Sequence, residues 1–314
     1  MLVSAPYMLP ALDQYRLVLE EHGVEVVTVP VRERLTEPEL LPLVGDLDGV
    51  ICGDDEFTER VLEAAPGLKV ISKWGTGVDS IDRKAAERLG ILVCNTPGAF
   101  TDPVADTVMG YVLVFARQVL AMDREMRQGR WQKRQSASLR ECVLGVVGVG
   151  NVGKAVVRRA VAFGMRVLGN DIVEIPQSFV TATGLEVVGL DQLLSLSDFV
   201  SLNCDLNPTS YHLIGDRELN RMKPTAHLIN TSRGRVVDEA ALVRALQARR
   251  IAGAALDVFE VEPLPAGSPL RALDDCLLAP HNANSSSEAA RRVHENTIRN
   301  LLQGLGVLTP SRSR

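Results

Sequence analysis

The sequence predicts an α/β protein of two doubly wound domains, each built on a parallel sheet. Three observations predict it. Short β-rich runs alternate with amphipathic helical stretches almost from start to finish, the pattern of βαβ units. The alternation is interrupted once, at 98–131, by a long helical stretch with no strand inside it, after which a fresh series begins. The length of 314 residues exceeds what one hydrophobic core ordinarily organises.

The first series opens with the strand-like "LVSAPY", then a helix-like "ALDQYRLVLEEHG" stopped by Gly23, then "VEVVTVP". "LDGVICG" (47–53), "LKVISKWG" (68–75) and "ILVCNTP" (91–97) continue it, separated by the helical "TERVLEAAPG" and "SIDRKAAERLG". The stretch 98–131 reads as a connector between two sheets. The second series follows as "ECVLGVVGVG", "GMRVLGNDI", "LEVVGL", "SDFVSLNC", "AHLINTS", "AGAALDVF" and "DCLLAPH". A final helix, "SSEAARRVHENTIRNLLQGLG", starts on a serine N-cap with Glu288 in its first turn. No strand follows it, so it is expected to pack back on the first domain. The expected division is 1–99 plus 286–314 for one domain and 100–285 for the other, with the closing "TPSRSR" a frayed end.

Composition excludes several functions. The net charge is −5 and no Lys/Arg block rises above the acidic background, the densest being "RQGRWQKR" at 127–134, so no nucleic-acid partner is expected. No apolar run reaches the length of a bilayer span, and "MLVSAPYMLP" lacks the charged start and apolar stretch of a signal peptide. The cysteines at 52, 94, 142, 204 and 276 are odd in number and widely spaced, without metal-ligand spacing. They are expected as free thiols in a reducing cytoplasm, and no metal is expected.

"CVLGVVGVGNVGKAVVRRA" sets Gly148, Gly150 and Gly153 in the GxGxxG spacing, between an apolar strand and a helix. One glycine makes the tight turn, the next lets the backbone approach a pyrophosphate, and the third allows close helix–strand packing. The helix N-terminus offers unpaired N–H groups and the positive end of its dipole to the phosphates. The next strand ends in Asp171, 18 residues after Gly153, placed to accept from an adenosine ribose. A carboxylate there repels a 2′-phosphate, and "DIVEIP" supplies no cation to offset it. The reading is a Rossmann-like domain that takes NAD rather than NADP.

In the second series, candidate catalytic residues fall at strand ends, where open α/β sheets bind ligands. "LINTSRGRVVDEAAL" puts Arg233 just after a strand, and "AALDVFEVEPLP" puts Asp257 at a strand end with Glu262 beyond it. "LAPHNANSS" supplies His281, one of only five histidines. The other four, at 22, 212, 227 and 294, lie in helix or strand patterns and are given no role. In the first domain, "WGTGVD" places Gly75, Thr76, Gly77 and Val78 in a turn after a strand, where successive N–H groups would form an anion nest. Asp79 is expected to cap a helix beginning at Ile81.

At these residues the chain resembles the D-2-hydroxyacid dehydrogenases, in particular the branch around D-3-phosphoglycerate dehydrogenase. The motifs are "KWGTGVDSID", "NTPGAF", "GVVGVGNVG", "MKPTAHLINTSRGRVVDEAAL", "AGAALDVFEVEPLP" and "APHNA", and they cover nearly the whole chain. The resemblance implies two Rossmann-like domains, the catalytic one discontinuous and built from both termini. It implies a catalytic trio of Arg233, Glu262 and His281. It also implies cofactor contacts at Asn151, Val152, Asp171, Cys204, Thr231, Ser232, Arg233, Asp257, His281 and the following segment at Ala283. The Gly75–Val78 loop would hold the substrate carboxylate, together with Arg233 and His281. The chemistry agrees: reducing a 2-oxo acid needs a hydride at C2 and a proton on the carbonyl oxygen. A histidine with an ordinary pKa of about 6.5 moves that proton near neutral pH. The implied function is NAD-dependent interconversion of a small D-2-hydroxy acid and its 2-oxo acid, by a homodimer formed through 98–135.

Departures from the family bear on the substrate. Phosphoglycerate dehydrogenases have an arginine for the substrate phosphate where this chain reads Cys52-Gly53-Asp54-Asp55, with no positive charge. Lys133 is a candidate to compensate, and Trp131 either reaches a partner's pocket or serves only the interface. Asp205 stands where relatives usually have proline, and "HNANSS" replaces their commoner His-Ile-Gly-Gly, so Asn282 would add an amide near the nicotinamide carboxamide. No regulatory domain follows the last helix, so serine feedback is not expected. Phosphoglycerate dehydrogenase proper, hydroxypyruvate or glyoxylate reductase, a phosphonate-type oxidation and an NAD-sensing corepressor-like protein remain alternatives.

Overall fold

The computed structural model describes residues 1–308, and the closing "TPSRSR" lies outside the described residues. The chain forms two compact units, Met1–Phe100 with the stretch from Ser286, and Thr101–Ser285. Both are parallel-sheet α/β units, as the alternation of strands and helices predicts.

The first unit holds β1 (Leu2–Val3), β2 (Val27–Thr28), β3 (Gly49–Cys52), β4 (Val70–Lys73) and β5 (Leu92–Cys94) in the order β2-β1-β3-β4-β5. β3 and β4 are buried on both faces, the requirement of a parallel sheet covered by helices. "VEVVTVP" yields only the two exposed residues of the edge strand β2. The expected helix "ALDQYRLVLEEHG" divides into a 3₁₀ segment, Leu9–Gln14, opened by Pro10, and a short α-helix, Arg16–Glu21.

The last helix, Ser287–Gly304, belongs to this unit and starts where Ser286 accepts the N–H of Ala289 at 3.3 Å. It lies against β4, with Ser72 Oγ donating to the Thr297 carbonyl at 2.7 Å. At Gly304 a Cβ would stand 2.5 Å from Val70 Cγ2, so glycine sets how closely the helix can approach. The cap expected of Asp79 is made by Asp82, which accepts from Ala85 N–H at 3.0 Å and opens the helix Arg83–Arg88. The reason is local. Ile81 still pairs as a parallel bridge with Phe57, and that keeps the chain extended past the expected start.

The second unit holds β6 (Val143–Val147), β7 (Arg166–Asn170), β8 (Glu186–Val187), β9 (Phe199–Leu202), β10 (His227–Asn230), β11 (Gly253–Leu256) and β12 (Cys276–Leu278). The order is β12-β11-β10-β9-β6-β7-β8, so the winding reverses between β6 and β9. Ligands of open α/β sheets bind outside the carboxyl ends of the strands at such a reversal. The stretch read as one long helix is two, Thr101–Ala116 and Val119–Arg127, bent by 56°. Gln118 takes the left-handed conformation (φ 51°), which a helix interior does not accommodate. Among the described residues no single helix is long and apolar enough to cross a membrane, and only this bent pair would pass together. The first of the two helices holds the helix after β6 through Arg159, which donates to Asp102 at 2.9 Å and Asp106 at 2.6 Å.

His227 lies at the amino end of β10, away from the strand ends that bind ligands. Its ring stacks on Phe115 (4.2 Å between centroids) and Phe199 (5.5 Å), and its Nδ1 is buried without a partner. Burial pushes its pKa down to about 4. Below pH ~6.5 the unfolded chain takes up a proton that the folded protein refuses. Stability should therefore fall between pH ~6.5 and 4 by roughly 2–4 kcal/mol from this group. Urea titrations of wild type and His227→Phe at pH 7 and 4.5 check this. The variant should lose less stability on acidification, and equal losses would contradict the assignment.

Candidate active site

The glycine-rich turn joins β6 to the helix Asn151–Ala162, with Gly150 at the N-cap. Each glycine meets a different constraint. Gly148 has φ 84°, and a Cβ there would fall 2.7 Å from Cys204 N, so the turn presses on the chain leaving β9. At Gly153 a Cβ would stand 2.0 Å from the Gly148 carbonyl oxygen, so helix and turn touch backbone to backbone. At Gly150 nothing lies within 4 Å, which leaves the N-terminus of the helix open. The N–H groups of Asn151, Val152 and Gly153 form the first turn, where no helical acceptor exists. Cys204, beside Gly148, keeps a neutral thiol, its pKa pushed up to about 11 by burial.

Asp171 follows β7 directly. Its Oδ2 accepts the N–H of Val149 at 2.6 Å and its Oδ1 that of Val173 at 2.9 Å. Both bonds fix the carboxylate beside the turn, and each oxygen keeps lone pairs for a diol. Across the reversal, Thr231 follows β10 with its hydroxyl buried and without a protein partner, a site that awaits a ligand group. Asn230 shapes this loop: its Oδ1 accepts from Ser232 N–H and hydroxyl, and its Nδ2 donates to the Arg233 carbonyl at 2.9 Å. Arg233 thus emerges in an extended conformation, with Nη1 donating to the Ser232 carbonyl at 3.1 Å.

Asp257, 1% exposed, ends β11. Its carboxylate accepts the N–H groups of Asn282 and Ala283, both at 2.8 Å, and its carbonyl accepts that of His281 at 2.8 Å. Its side chain thus ties the turn after β12 to the end of β11. The turn holds His281 in the left-handed region (φ 51°), a conformation worth maintaining only under such constraint. Ala283 is further fixed by the Thr107 hydroxyl, which donates to its carbonyl at 3.2 Å. His281 Nδ1 then meets Glu262 Oε2 at 2.8 Å, and Glu262 Oε1 accepts Phe259 N–H at 2.8 Å. Histidine and glutamate are both mostly shielded, at 24% and 21% side-chain exposure.

In the first unit, the loop after β4 has its carbonyls tied down. The Gly75 carbonyl accepts from Thr96 N–H and hydroxyl, and the Thr76 carbonyl from Asn95 Nδ2 at 2.6 Å. The N–H groups of Gly75, Thr76, Gly77 and Val78 donate to no acceptor among the described residues, which is the condition for an anion nest. The expectation of an uncompensated acidic loop after β3 needs correction. Lys73, buried at the end of β4, places its Nζ 3.0 Å from Asp54 Oδ1. Asp55 points inward, fully buried, and accepts from the Ser4 hydroxyl at 2.5 Å and Leu35 N–H at 2.6 Å. Its carboxyl is pushed up by that burial.

Residues 109–283 match the family model described as D-isomer specific 2-hydroxyacid dehydrogenase, NAD binding domain. The chain belongs to this family. It is 44% identical over 254 residues to a glyoxylate reductase of Korarchaeum cryptofilum, covering 79% of this chain and 76% of that one. It is 39% identical over 295 residues to a D-3-phosphoglycerate dehydrogenase of Methanocaldococcus jannaschii, covering 91% of this chain and 55% of that one. A D-lactate dehydrogenase of Aquifex aeolicus, solved with NAD and lactic acid, superposes with a TM-score of 0.86 at 26% identity, over 99% of both chains.

The protein is thus an NAD-dependent oxidoreductase of the D-2-hydroxyacid dehydrogenase family. The residues present fit the cofactor: an open helix N-terminus at Gly150, a fixed carboxylate at Asp171 and an orphaned hydroxyl at Thr231. Two contributors escaped the sequence reading, Asn230 and Lys73. An asparagine at a strand end before Ser and Arg was a readable turn signal. Lys73 was not readable, because its partner is set by the register of β3 on β4, which pairs Cys52 with Lys73.

Asp171→Ala should relax the dehydrogenase's discrimination between cofactors. The ratio of kcat/KM for NADPH to that for NADH should rise about tenfold or more, since a like-charge contact costs several kcal/mol. Steady-state kinetics with both cofactors check it, and an unchanged ratio removes Asp171 from this role.

Proposed function

We propose that the enzyme interconverts a small, unphosphorylated D-2-hydroxy acid and its 2-oxo acid, with glyoxylate and hydroxypyruvate as the oxo acids it takes best. His281 is the acid/base, Glu262 its partner, and Arg233 the group that binds and polarises the substrate. The observation that carries the reading is the 2.8 Å contact between His281 Nδ1 and Glu262 Oε2. An ionised carboxylate only accepts hydrogen bonds, so the proton between the two belongs to Nδ1. Nε2 is then the nitrogen that gives a proton to the substrate carbonyl oxygen in reduction and takes it back in oxidation. A carboxylate at hydrogen-bond distance favours the imidazolium, the form reduction requires.

The dinucleotide, when bound, supplies the hydride chemistry. Gly148, Gly150 and the turn Asn151–Gly153 receive its pyrophosphate, Asp171 its ribose, and the loop Thr231–Ser232 lies at the opposite side of the reversal. The guanidinium of Arg233 forks across the substrate carboxylate and the carbonyl oxygen, where it stabilises the charge that develops in the transition state. The N–H groups of Gly75–Val78 take the carboxylate.

The restriction to unphosphorylated acids is supported by the loop after β3. The cation there, Lys73, is already matched by Asp54, and Asp55 adds a second acid behind it. Similarity to a protein named glyoxylate reductase points the same way. A homodimer through 98–135 and residence in a reducing cytoplasm belong to the same reading. They are supported by the exposed apolar side chains Val119, Leu120, Met126 and Trp131, the last 79% exposed, and by five free cysteines.

His281→Ala should lower kcat about a hundredfold or more, the usual scale for an acid–base group, while NADH still binds. Near-normal turnover would remove His281 from the mechanism. NADH oxidation with a panel of 2-oxo acids should rank glyoxylate and hydroxypyruvate above phosphohydroxypyruvate, and the reverse order overturns the proposed substrate class.

A further inference from the structure

Arg233 and Glu262 leave different strands, and the segments that carry them touch backbone to backbone. Gly234, next to Arg233, lies so close to the peptide joining Phe259 and Glu260 that a Cβ would stand 1.9 Å from the Phe259 carbonyl carbon. The N–H of the same Phe259 holds Glu262 Oε1 at 2.8 Å. Glu260 closes this contact from the other side. Its Oε1 accepts the N–H of Glu239 at 3.0 Å, and its own N–H donates to Glu239 Oε2 at 3.2 Å. Glu239 is the first residue of the helix Glu239–Gln247, so the Glu260 carboxylate sits where the helix dipole favours an anion.

A third segment joins the clamp. His212 Nε2 stands 3.0 Å from Glu260 Oε1, close but not aligned as a hydrogen bond. The His212 N–H donates to the Arg235 carbonyl at 2.9 Å, so the residue that faces Glu260 also grips the Arg233 turn. His212 has φ 48° and its ring is stacked on Tyr211 at 4.1 Å, which keeps the imidazole in place. The titratable groups that face Glu260 are therefore His212 and Glu239, while the neighbouring Asp238 is engaged in capping Ala241 N–H at 2.9 Å.

We propose that Glu260 is a positioning residue: with Glu239 and His212 it clamps the Phe259–Glu260 peptide onto Gly234, and so sets the Glu262–His281 pair relative to Arg233. The inference rests on the acid/base assignment made above. Its energetic force comes from alignment, since a misplacement of about 1 Å at a reacting centre costs on the order of a hundredfold in rate. The purpose of a clamp here is evident from the loops themselves. Both catalytic segments lie beyond the ends of their strands, where the sheet's hydrogen bonds no longer fix their separation.

The test is Glu260→Ala in the full-length enzyme, followed through the pH dependence of reduction. The kcat should fall about tenfold or more, with the NADH dissociation constant changed by less than about twofold. The alkaline limb of kcat/KM should move to lower pH, because a loosened Glu262 stabilises the imidazolium less. Glu260→Gln keeps an acceptor for the Glu239 N–H and should restore most of the turnover. Glu239→Ala removes the reciprocal acceptor and should move the limb in the same direction, which guards against one variant that fails to fold. An alkaline limb unmoved in the alanine variants overturns the proposal whether turnover falls or not, as does NADH affinity lost in step with turnover. Failure of the acid/base reading is recognised separately, by His281→Ala that keeps its turnover.

Discussion

A buried carboxylate ties the turn after β12 to the end of β11. Asp257 accepts two backbone N–H groups from the turn after β12 while its own carbonyl accepts a third, from His281. A buried polar group costs stability unless it is hydrogen-bonded, and at 1% exposure these bonds are what offset that cost. In return they fix a left-handed histidine whose ring meets Glu262 at 2.8 Å. The His281–Glu262 contact is thus a consequence of how two adjacent parallel strands, β11 and β12, are tied at their carboxyl ends. Structure and chemistry meet in one set of hydrogen bonds.

The same economy governs the glycines. Gly148, Gly153 and Gly234 each sit where backbone meets backbone at distances that no Cβ permits. The first two bring a helix N-terminus to the point where the strand order reverses, and the third brings the Arg233 turn onto the Phe259 peptide. None of these contacts involves a side chain that could adapt. Replacing any of the three moves a main-chain segment, and with it whatever ligand or catalytic group the segment carries.

Much of this was legible in the sequence, for a physical reason. Strand–helix alternation records burial, and GxGxxG with Asp171 records a local turn, both within a few residues of chain. His281 stood near a strand end and Glu262 a few residues beyond one, and both were readable as candidates there. What was not legible depends on register or on a single backbone angle. Lys73 meets Asp54 because β3 and β4 pair with Cys52 opposite Lys73, which no composition of either strand announces. The cap moved from Asp79 to Asp82 because of one bridge to Phe57, and the long helix broke at one left-handed residue, Gln118. Glu260 read as one more acid in "VFEVEP" until the backbone of Glu239 was found against it.

The acidic loop after β3 shows how sign and burial together set what a charge means. Read as sequence, Cys52-Gly53-Asp54-Asp55 is a doubly negative loop hostile to any anion. Folded, its charges are divided. Asp55 is withdrawn into the core, where the Ser4 hydroxyl and Leu35 N–H compensate it and burial weakens its acidity. Asp54 is turned onto Lys73, which reaches it from beneath the loop that carries Gly75. The region therefore presents a matched ion pair beside an array of backbone N–H groups.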